Sequence, residues 1–354
     1  MNQDESFARA REAYRKFLHS AIDSASKDRK LGKPFTDVHR RLSLIARRNV
    51  PLHLYRYYSN EALKRTMNDI SSGRLYLSNP VSFNDVFDVR PLFDKAKIKE
   101  RMNIQVTEAN MLETYRFYGQ LYPDKINQMM EIYLSEVDNN GGFESYKKQF
   151  IDSTLENMES FIEDFRSYPR CSCLTETYTS SVMWGLYANN NRGFAVSYEM
   201  PRSPMDCCCE RLSEDDKCML ARHPLAVFPI LYEGRPDITD FSDTLGGSQS
   251  LIPYLTERLY LTVIAATAFK AKEWEHEREW RIVCGQCQYA PNAKMYVRLK
   301  ASAVYLGYQV SKENQEFVLR AAAKLSLPVY KAKVLYATAE DDMTFQPLND
   351  YCGC

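Results

Sequence analysis

LHLYRYYSNEALKRTMNDISSGRLYLSNPVSFNDVFD, residues 52–88, contains the alternation of elements that decides the fold class. Its aromatic opening, LHLYRYYS, is typical of a strand, and NEALKRTMNDISSG predicts a short helix that ends at Gly73. RLYLS predicts a second strand, and NPVSFNDVFD is dense in residues that form turns. The segment therefore predicts a strand, a helix and another strand, followed by a polar turn.

The rest of the chain continues this mixture of strands and helices. Aromatic and β-branched residues predict further strands at 170–177, 193–200, 226–233, 279–284, 295–310 and 328–337. Apolar residues at helical spacing predict helices at 180–188, 248–272 and 312–325, and residues 204–218 are predicted to form a loop. Because these elements do not follow a regular strand–helix–strand period, they predict an α+β fold with a mixed, mostly antiparallel sheet.

Two helical segments accompany this core. The first 50 residues carry twelve Lys or Arg and six Asp or Glu, and residues 1–48 predict a basic helical segment. It could pack on the core with a solvated face, or it could dock an acidic partner or nucleic acid. Residues 95–169 predict a helical insertion. The domain organisation is thus an N-terminal segment at 1–48 and an α+β core domain at 49–354.

The composition is that of an ordinary globular protein. The chain is 45% hydrophobic and 26% charged with a formal net charge of zero, so no overall field attracts nucleic acid or anionic lipid. It has no apolar run of membrane-spanning length, and its charged start is unlike a secretory signal. The ten cysteines are irregularly spaced, which favours reduced thiols over a disulfide framework. We therefore expect a cytoplasmic protein that does not bind membranes.

Common cofactor and metal motifs are missing from the sequence. It has neither G-x-G-x-x-G nor G-x-x-x-x-G-K-[ST], which argues against a Rossmann dehydrogenase and a P-loop enzyme. Cys284-x-x-Cys287 is a single pair without a second pair or a suitable histidine pair, so we expect no metal site there. His276 stands beside Glu277 and could carry a proton or contact a substrate.

Short motifs along the chain resemble a bacterial family of domains of unknown function that is often linked to phage defence. LYRY at 54–57, LYLSNP at 75–80 and FNDVFD at 83–88 are similar to the opening of that family, in which proline usually stands in place of Val86. CSCLT at 171–175, MWGLYA at 183–188 and GFAV at 193–196 are similar to its middle. WEHEREWR at 274–281 is similar to its W-x-x-E-x-E-W-R signature, and VYLG at 304–307 to its closing strand. The resemblance covers about residues 50–345.

This arrangement is remotely similar to the ADP-ribosyltransferase fold, including DarT-like toxins. The similarity implies an enzyme that uses NAD as a substrate and modifies a macromolecular acceptor, nucleic acid or protein. It implies Arg56, Glu277 and Glu279 as catalytic residues. It also implies a set of NAD-binding residues: Tyr55, Tyr76, Ser78, Asn84 and Arg281.

The implied residues suit the chemistry of NAD cleavage. Breaking the bond between nicotinamide and ribose develops positive charge on the ribose, which a carboxylate such as Glu279 can stabilise. Glu277 would orient the acceptor nucleophile or take its proton, and Arg56 would hold the diphosphate or the nicotinamide-side ribose through its fork of donors. Tyr76 would stack on nicotinamide. The E-x-E precedent of the resembled enzymes favours Glu279 over Glu277 as the key carboxylate.

Structural roles for the same residues remain open at this stage. Glu277, Glu279 and Arg281 could form an exposed, salt-bridged strand face, and Arg56 could belong to a buried ion pair. The tryptophans at 184, 274 and 280 could be core anchors, and residues 83–88 could be a packed turn with an Asx hydrogen bond. Asp85 and Asp88 could instead act as acid–base groups or metal ligands.

Our leading hypothesis is an ADP-ribosyltransferase-like effector of an antiviral defence or toxin system, which an inhibitory protein partner could hold in check. One alternative is a non-catalytic module that senses a nucleotide or a phage ligand. A second alternative is a nuclease that uses Asp85, Asp88 and Glu277 with a divalent cation.

Overall fold

A computed structural model provides the fold and describes the greater part of the chain. It describes residues 3–27, 36–112, 115, 126–167, 169–201, 207–209, 226–239, 261–284, 294–333 and 343–348.

A mixed eight-stranded sheet forms the centre of the molecule, as the irregular order of elements predicted. The strands run in the order β11-β10-β9-β4-β1-β3-β7-β6, and only the β9–β10 pair is parallel. Their bounds are β1 (His53–Tyr58), β3 (Arg170–Thr175), β4 (Phe194–Glu199), β6 (Ala226–Pro229), β7 (Glu279–Cys284), β9 (Lys300–Leu306), β10 (Val329–Lys333) and β11 (Thr344–Pro347). The predicted α+β class with a mostly antiparallel sheet is confirmed.

A second, three-stranded antiparallel sheet packs against the first. It consists of β2 (Arg74–Leu77), β8 (Met295–Arg298) and β5 (Cys207–Cys209), in the order β2-β8-β5. Strand β5 lies within residues 204–218, so the prediction of a loop was wrong for these three residues. An isolated bridge between Ser78 and Cys171 joins the end of β2 to β3 in the large sheet. The residues after β2 are thereby held close to the large sheet.

Helices cover the sheets and fill the segments predicted to be helical. The N-terminal segment forms α1 (Gln3–Lys27) and α2 (Thr36–Asn49), and α3 (Leu63–Ser71) precedes β2. The insertion contains α4 (Lys95–Gln105), α5 (Ile126–Asn139), α6 (Phe143–Glu156) and α7 (Met158–Ser167). The last two are α8 (Ser181–Tyr187) and α9 (Lys312–Ala323). Of the helix predicted at 248–272, residues 261–267 are helical, and residues 248–260 lie outside the described part.

The two faces of the large sheet carry different cores. One face packs against the small sheet, α3 and α9 through a cluster that includes Leu54, Val196 and Trp280. The opposite face packs against α1, α2 and residues 261–267, where Tyr14 stacks on Phe228 with ring centroids 5.7 Å apart. The N-terminal helices therefore bury their apolar stripes against the core domain. None of the described helices is long and apolar enough to cross a bilayer.

Candidate active site

Three of the motifs meet on the α1 side of the large sheet. They are the turn at 83–88, helix α8, and residues 270–281, which lead into β7. Together they surround five buried charged side chains: Asp88, Lys270, Glu277, Glu279 and Arg281. A buried charge is costly unless it is paired. This cluster of five buried charged side chains is therefore the candidate active site within the described residues.

Arg281 is the centre of the cluster. Its side chain is 0% exposed, and its guanidinium lies between two carboxylates. Nη1 and Nη2 donate to Asp88 Oδ1 and Oδ2 at 2.8 and 2.6 Å, while Nε donates to Glu279 Oε1 at 2.6 Å. The ring of Phe83 lies 5.6 Å from the guanidinium carbon. Nη1 also donates to the Thr267 carbonyl at 3.0 Å, and the other donors of Arg281 fix Asp88 and Glu279.

Lys270 supplies the second positive charge. Its Nζ donates to Glu277 Oε2 at 2.5 Å and to Glu279 Oε2 at 3.4 Å, and it lies 3.8 Å from Asp88 Oδ2. The ring of Trp274 lies 4.6 Å from the same Nζ. The five side chains thus hold three negative and two positive charges when all are ionised. One carboxylate must either bind a proton or keep an uncompensated charge.

Glu277 is the carboxylate at the surface end of the cluster. Its Oε1 accepts a hydrogen bond from the Tyr187 hydroxyl of α8. The same hydroxyl accepts a hydrogen bond from Asn84 Nδ2 at 3.1 Å, and Asn84 is exposed. Glu277 itself is only 4% exposed. A chain of two hydrogen bonds therefore connects a buried carboxylate to the protein surface.

The backbone before β7 separates the two glutamates. Residues Lys272–Glu277 form a 3-10 helix, which ends at Arg278 in the left-handed conformation with φ of 46°. This turn redirects the chain, so that Glu277 belongs to the helical segment and Glu279 begins the strand. The Tyr232 hydroxyl accepts the Glu279 backbone N–H at 2.7 Å and fixes the start of β7. The E-x-E pair consequently occupies two local conformations, and not one extended face.

The turn at 83–88 is built by local hydrogen bonds. Asp85 Oδ1 accepts the Phe87 N–H at 2.9 Å, which confirms the predicted Asx hydrogen bond. Arg166 of α7 donates to the backbone carbonyls of Asp88 and Asp85 at 3.1 and 3.3 Å. These contacts hold the Asp88 side chain towards Arg281. The other ring of the turn, Phe87, is 57% exposed.

The pKa values of the two glutamates are shifted in opposite directions. Burial, together with the charge of Glu279, raises the pKa of Glu277 above its ordinary value of 4.5. Burial would also raise the pKa of Glu279, but the charges of Arg281 and Lys270 outweigh it and lower that pKa to about 2. Burial and the charge of Glu277 raise the pKa of the Tyr187 hydroxyl, which stays protonated. Protonation is therefore easier at Glu277 than at Glu279, whose charge is stabilised by Arg281 and Lys270.

Arg56 lies apart from this cluster. Tyr55 is opposite Thr175, which is in turn opposite Glu279, so these three side chains share one face of the sheet. Arg56 follows Tyr55 and points to the other face. There its Nη1 donates to Tyr76 O at 2.8 Å and to Ser172 Oγ at 2.6 Å. The structure thus brings together Glu277, Glu279, Arg281 and Asn84, and places Arg56 in a second group.

The remaining predicted NAD contacts also lie outside the cluster. Ser78 Oγ accepts a hydrogen bond from Arg56 Nη2 at 3.3 Å, and the Tyr76 ring packs on Tyr296 with centroids 5.6 Å apart. Tyr55 is on the same face as Glu279, but its ring packs on Tyr178 and Tyr305 at 4.8 and 5.8 Å. Arg56, Tyr76 and Ser78 therefore lie on a different surface from the E-x-E segment, and Tyr55 shares the sheet face of Glu279 but packs within a group of aromatic rings.

Several structural alternatives are decided by these positions. Glu277, Glu279 and Arg281 are salt-bridged but buried, so they do not form the exposed strand face that was one of the alternatives. In the described part of the chain Arg56 contacts hydroxyl and carbonyl oxygens and no carboxylate. Trp184 and Trp280 are core residues at 0% and 1% exposure, whereas Trp274 is only half-buried.

The three carboxylates of the nuclease alternative already have partners within the protein. Asp88 and Glu277 bind Arg281 and Lys270, and Asp85 uses its carboxylate oxygen within its own turn. Across the ranges that the structure describes, no three His, Cys, Asp or Glu residues form a group that could hold a metal ion. Cys287 of the single C-x-x-C pair lies outside the described residues.

Lys270 and Tyr187 are the site residues that sequence reasoning missed. Tyr187 is the last helical residue of the MWGLYA motif, and Lys270 follows the apolar helix before Trp274. A buried lysine beside two glutamates has no signature in a single sequence, because the partners meet only in the fold. The tyrosine could have been noted as the one polar side chain at the end of an otherwise apolar helical motif.

A separate groove of about 980 Å³ opens near the edge of the small sheet. Its lining includes Leu52, Gly73, Glu199, Arg298, Lys300 and Ser302. None of the predicted catalytic or NAD-binding residues contributes to this groove.

Comparison with known proteins gives one match. Residues 183–282 match the model of a family described as Protein of unknown function (DUF2971). The matched range includes most of α8 and of β7, and it contains Tyr187, Lys270, Glu277, Glu279 and Arg281. No curated protein matches the chain, and no solved structure matches it. Over these residues the chain is similar to a family of domains of unknown function.

Proposed function

We propose that the chain is an enzyme that cleaves NAD at the nicotinamide–ribose bond and transfers the ADP-ribosyl group to a macromolecule. The observation that carries the proposal is the position of Glu277. It is hydrogen-bonded between Lys270 and Tyr187, at the surface end of a cluster whose other carboxylates are fixed by Arg281. The acceptor would be nucleic acid or protein.

Glu277 is the carboxylate best suited to acid–base work in this proposal. Its raised pKa lets it exchange a proton nearer to neutral pH than an ordinary glutamate. In the reaction the C1′–N bond breaks, and its electron pair leaves with nicotinamide. An oxygen or nitrogen of the acceptor then bonds to C1′, and Glu277 takes the proton that the acceptor releases.

Glu279 would act without changing its protonation state. Its pKa of about 2 keeps it ionised, and Arg281 fixes its position. Its negative charge contributes to the field that stabilises a cationic ribose in a low-dielectric site. The E-x-E pattern of the resembled enzymes favours Glu279 as the key carboxylate. We instead assign the proton transfer to Glu277, the first glutamate of the pair.

Substrate would enter at the rim formed by Asn84, Tyr187 and Trp274. Asn84 is exposed, while Tyr187 and Trp274 are half-buried. A ribose hydroxyl that replaced the Tyr187 hydroxyl would reach Glu277 Oε1 directly. The indole of Trp274 offers a flat surface for nicotinamide beside Lys270. In this arrangement Arg56, Tyr76 and Ser78 support the neighbouring small sheet and do not hold NAD.

Incubation of the purified chain with NAD, with and without a cell lysate, tests the proposal. Nicotinamide release that needs no divalent cation, and that is lost in Glu277→Gln, supports it. Turnover of nucleic acid that needs Mg²⁺ and not NAD would replace the proposal with a nuclease. An inhibitory partner and a role as a defence or toxin effector remain part of the proposal, and growth arrest on expression tests them.

A second candidate function is a ligand-sensing module without turnover. The observation that favours it is the complete pairing of Glu279, Asp88 and Arg281, which is typical of a structural ion network. This candidate predicts that NAD or another nucleotide raises the melting temperature while no nicotinamide is released. Glu277→Gln would then change the shift in melting temperature that the nucleotide causes. Neither the wild type nor this variant would release nicotinamide.

A further inference from the structure

The outward face of the small sheet carries two arginines and two tyrosines in register. Arg74 of β2 lies directly opposite Arg298 of β8, and Tyr76 lies directly opposite Tyr296. Leu75, which alternates with them, points into the core, so the four side chains share the other face. We call these four residues the Arg–Tyr face.

Guanidinium groups and aromatic rings are interleaved on this face. The Arg74 guanidinium carbon lies 4.5 Å from the Tyr296 ring centroid. That of Arg65, on α3, lies 5.8 Å from the Tyr76 ring centroid, and the two tyrosine rings are 5.6 Å apart. Arg56 supports the arrangement from behind by its hydrogen bond to the Tyr76 carbonyl. The Tyr296 ring is buried at 5% exposure beside Arg74, whereas Tyr76 is half-buried and is the ring that a ligand could reach.

The positive charge of the Arg–Tyr face is poorly compensated. Like charges directly opposite each other in a ladder destabilise a sheet. Asp69 lies 3.9 Å from Arg74, at the limit of an ion pair. Arg298 is exposed, and its side chain has no hydrogen bond or ion pair to the described part of the chain. In the described part of the chain these two arginines face each other with one carboxylate, that of Asp69, near Arg74, and such a pair suits an anion.

The groove described above begins at this surface. Arg298 belongs to both, and the groove wall also carries Lys300, which pairs with Glu199 at 3.5 Å. A volume of about 980 Å³ is in the range of pockets that hold nucleotide-sized ligands. An extended anion that crosses Arg74 and Arg298 could therefore place one of its units in the groove.

We propose that the Arg–Tyr face, with the adjoining groove, binds single-stranded nucleic acid. Arg65, Arg74 and Arg298 would contact phosphates, and the partly exposed ring of Tyr76 would stack on a base. Cations along a backbone combined with aromatic stacking are the means by which proteins bind single strands without reading their sequence. An acidic protein would bind the arginines but would not need the ring of Tyr76. A lipid surface would require exposed apolar side chains around the arginines. The proposal goes beyond the reaction at Glu277 and does not depend on it.

Fluorescence anisotropy with a labelled single-stranded oligonucleotide, measured without NAD, tests the proposal. The key variant is Arg74→Gln with Arg298→Gln. A matched control is Arg9→Gln with Arg48→Gln, which removes two exposed arginines from the N-terminal helices instead. If the double variant melts early, Arg298→Gln alone serves, because this side chain is exposed and has no hydrogen bond or ion pair within the described residues.

The expected result is salt-dependent binding by the wild type. Its slope of log affinity against log salt should fall by roughly one for each arginine removed from the face, and should not change in the control. Tyr76→Leu should weaken binding without changing this slope. A slope that falls in the control and not in the key variant would assign binding to the N-terminal helices and overturn the proposal. Equal affinity for duplex and single strand, or binding of anionic vesicles in place of the oligonucleotide, would overturn it as well.

Discussion

The phenolic hydroxyl of Tyr187 donates a hydrogen bond to Glu277 Oε1, although the two residues are 90 positions apart in the sequence. This contact joins helix α8 to the segment before β7. It also joins the surface to the buried charges, because Asn84 donates to the same hydroxyl. The proposed reaction depends on this connection, since the other carboxylates of the cluster are held by Arg281.

Tyr187→Phe should move the acid limb of the pH–activity profile to higher pH. The Tyr187 hydrogen bond lowers the pKa of Glu277, so its loss raises that pKa further above the ordinary value. A higher pH is then needed to ionise Glu277. The rate of nicotinamide release as a function of pH measures the shift. Leu186→Ala, which removes an exposed neighbour on the same helix, should leave the profile unchanged.

Arg281→Met should destabilise the fold by about 3–5 kcal/mol, because it leaves Asp88 and Glu279 buried without their partner. Urea denaturation measures the loss. Lys95→Met provides the comparison, since Lys95 pairs with Glu159 at an exposed site, where a salt bridge contributes about 0–1 kcal/mol. A change at Arg281 no larger than the change at Lys95 would show that the cluster does not stabilise the protein.

The loss of folding stability at acid pH should depend on the protonation of Glu279. A carboxylate with a lowered pKa contributes stability that is present above its unfolded pKa of about 4.5 and is lost as pH falls towards about 2. Glu277 has the opposite sign, because its raised pKa means that protonation favours the folded state. Glu279→Gln should therefore flatten the loss of stability between pH 4.5 and pH 2, and Glu277→Gln should not. Thermal melts across this range provide the measurement.

Arg56→Gln should leave the rate of nicotinamide release per folded molecule nearly unchanged. Its side chain lies on the face opposite Glu279 and donates to Tyr76, Ser172 and Ser78. The expected effect is a lower melting temperature, since the Tyr76 carbonyl and the Ser172 hydroxyl lose a donor. A hundredfold loss of activity at unchanged stability would restore Arg56 to the reaction centre.

The fold class and much of the cluster could be predicted from the sequence. The irregular order of elements predicted the mixed sheet. The sequence also offered the motif at 83–88 and the E-x-E segment as site residues, and in the fold both contact Arg281. The face of each strand could not be predicted, since it depends on a register that is set between distant strands. Arg56 and Tyr55 differ by one position and therefore point to opposite faces. Lys270 could not be found, because its three carboxylates approach only in the folded chain.

The most direct test of the account compares Glu277→Gln with Glu279→Gln in the release of nicotinamide from NAD. Both variants should be assayed at a temperature at which melting curves show them folded. We predict that Glu277→Gln abolishes release while its stability stays close to that of the wild type, and that Glu279→Gln loses stability as well as activity. Full activity in Glu277→Gln, or no release of nicotinamide by the wild type under any condition, would contradict the assignment of this cluster as an NAD-cleaving site.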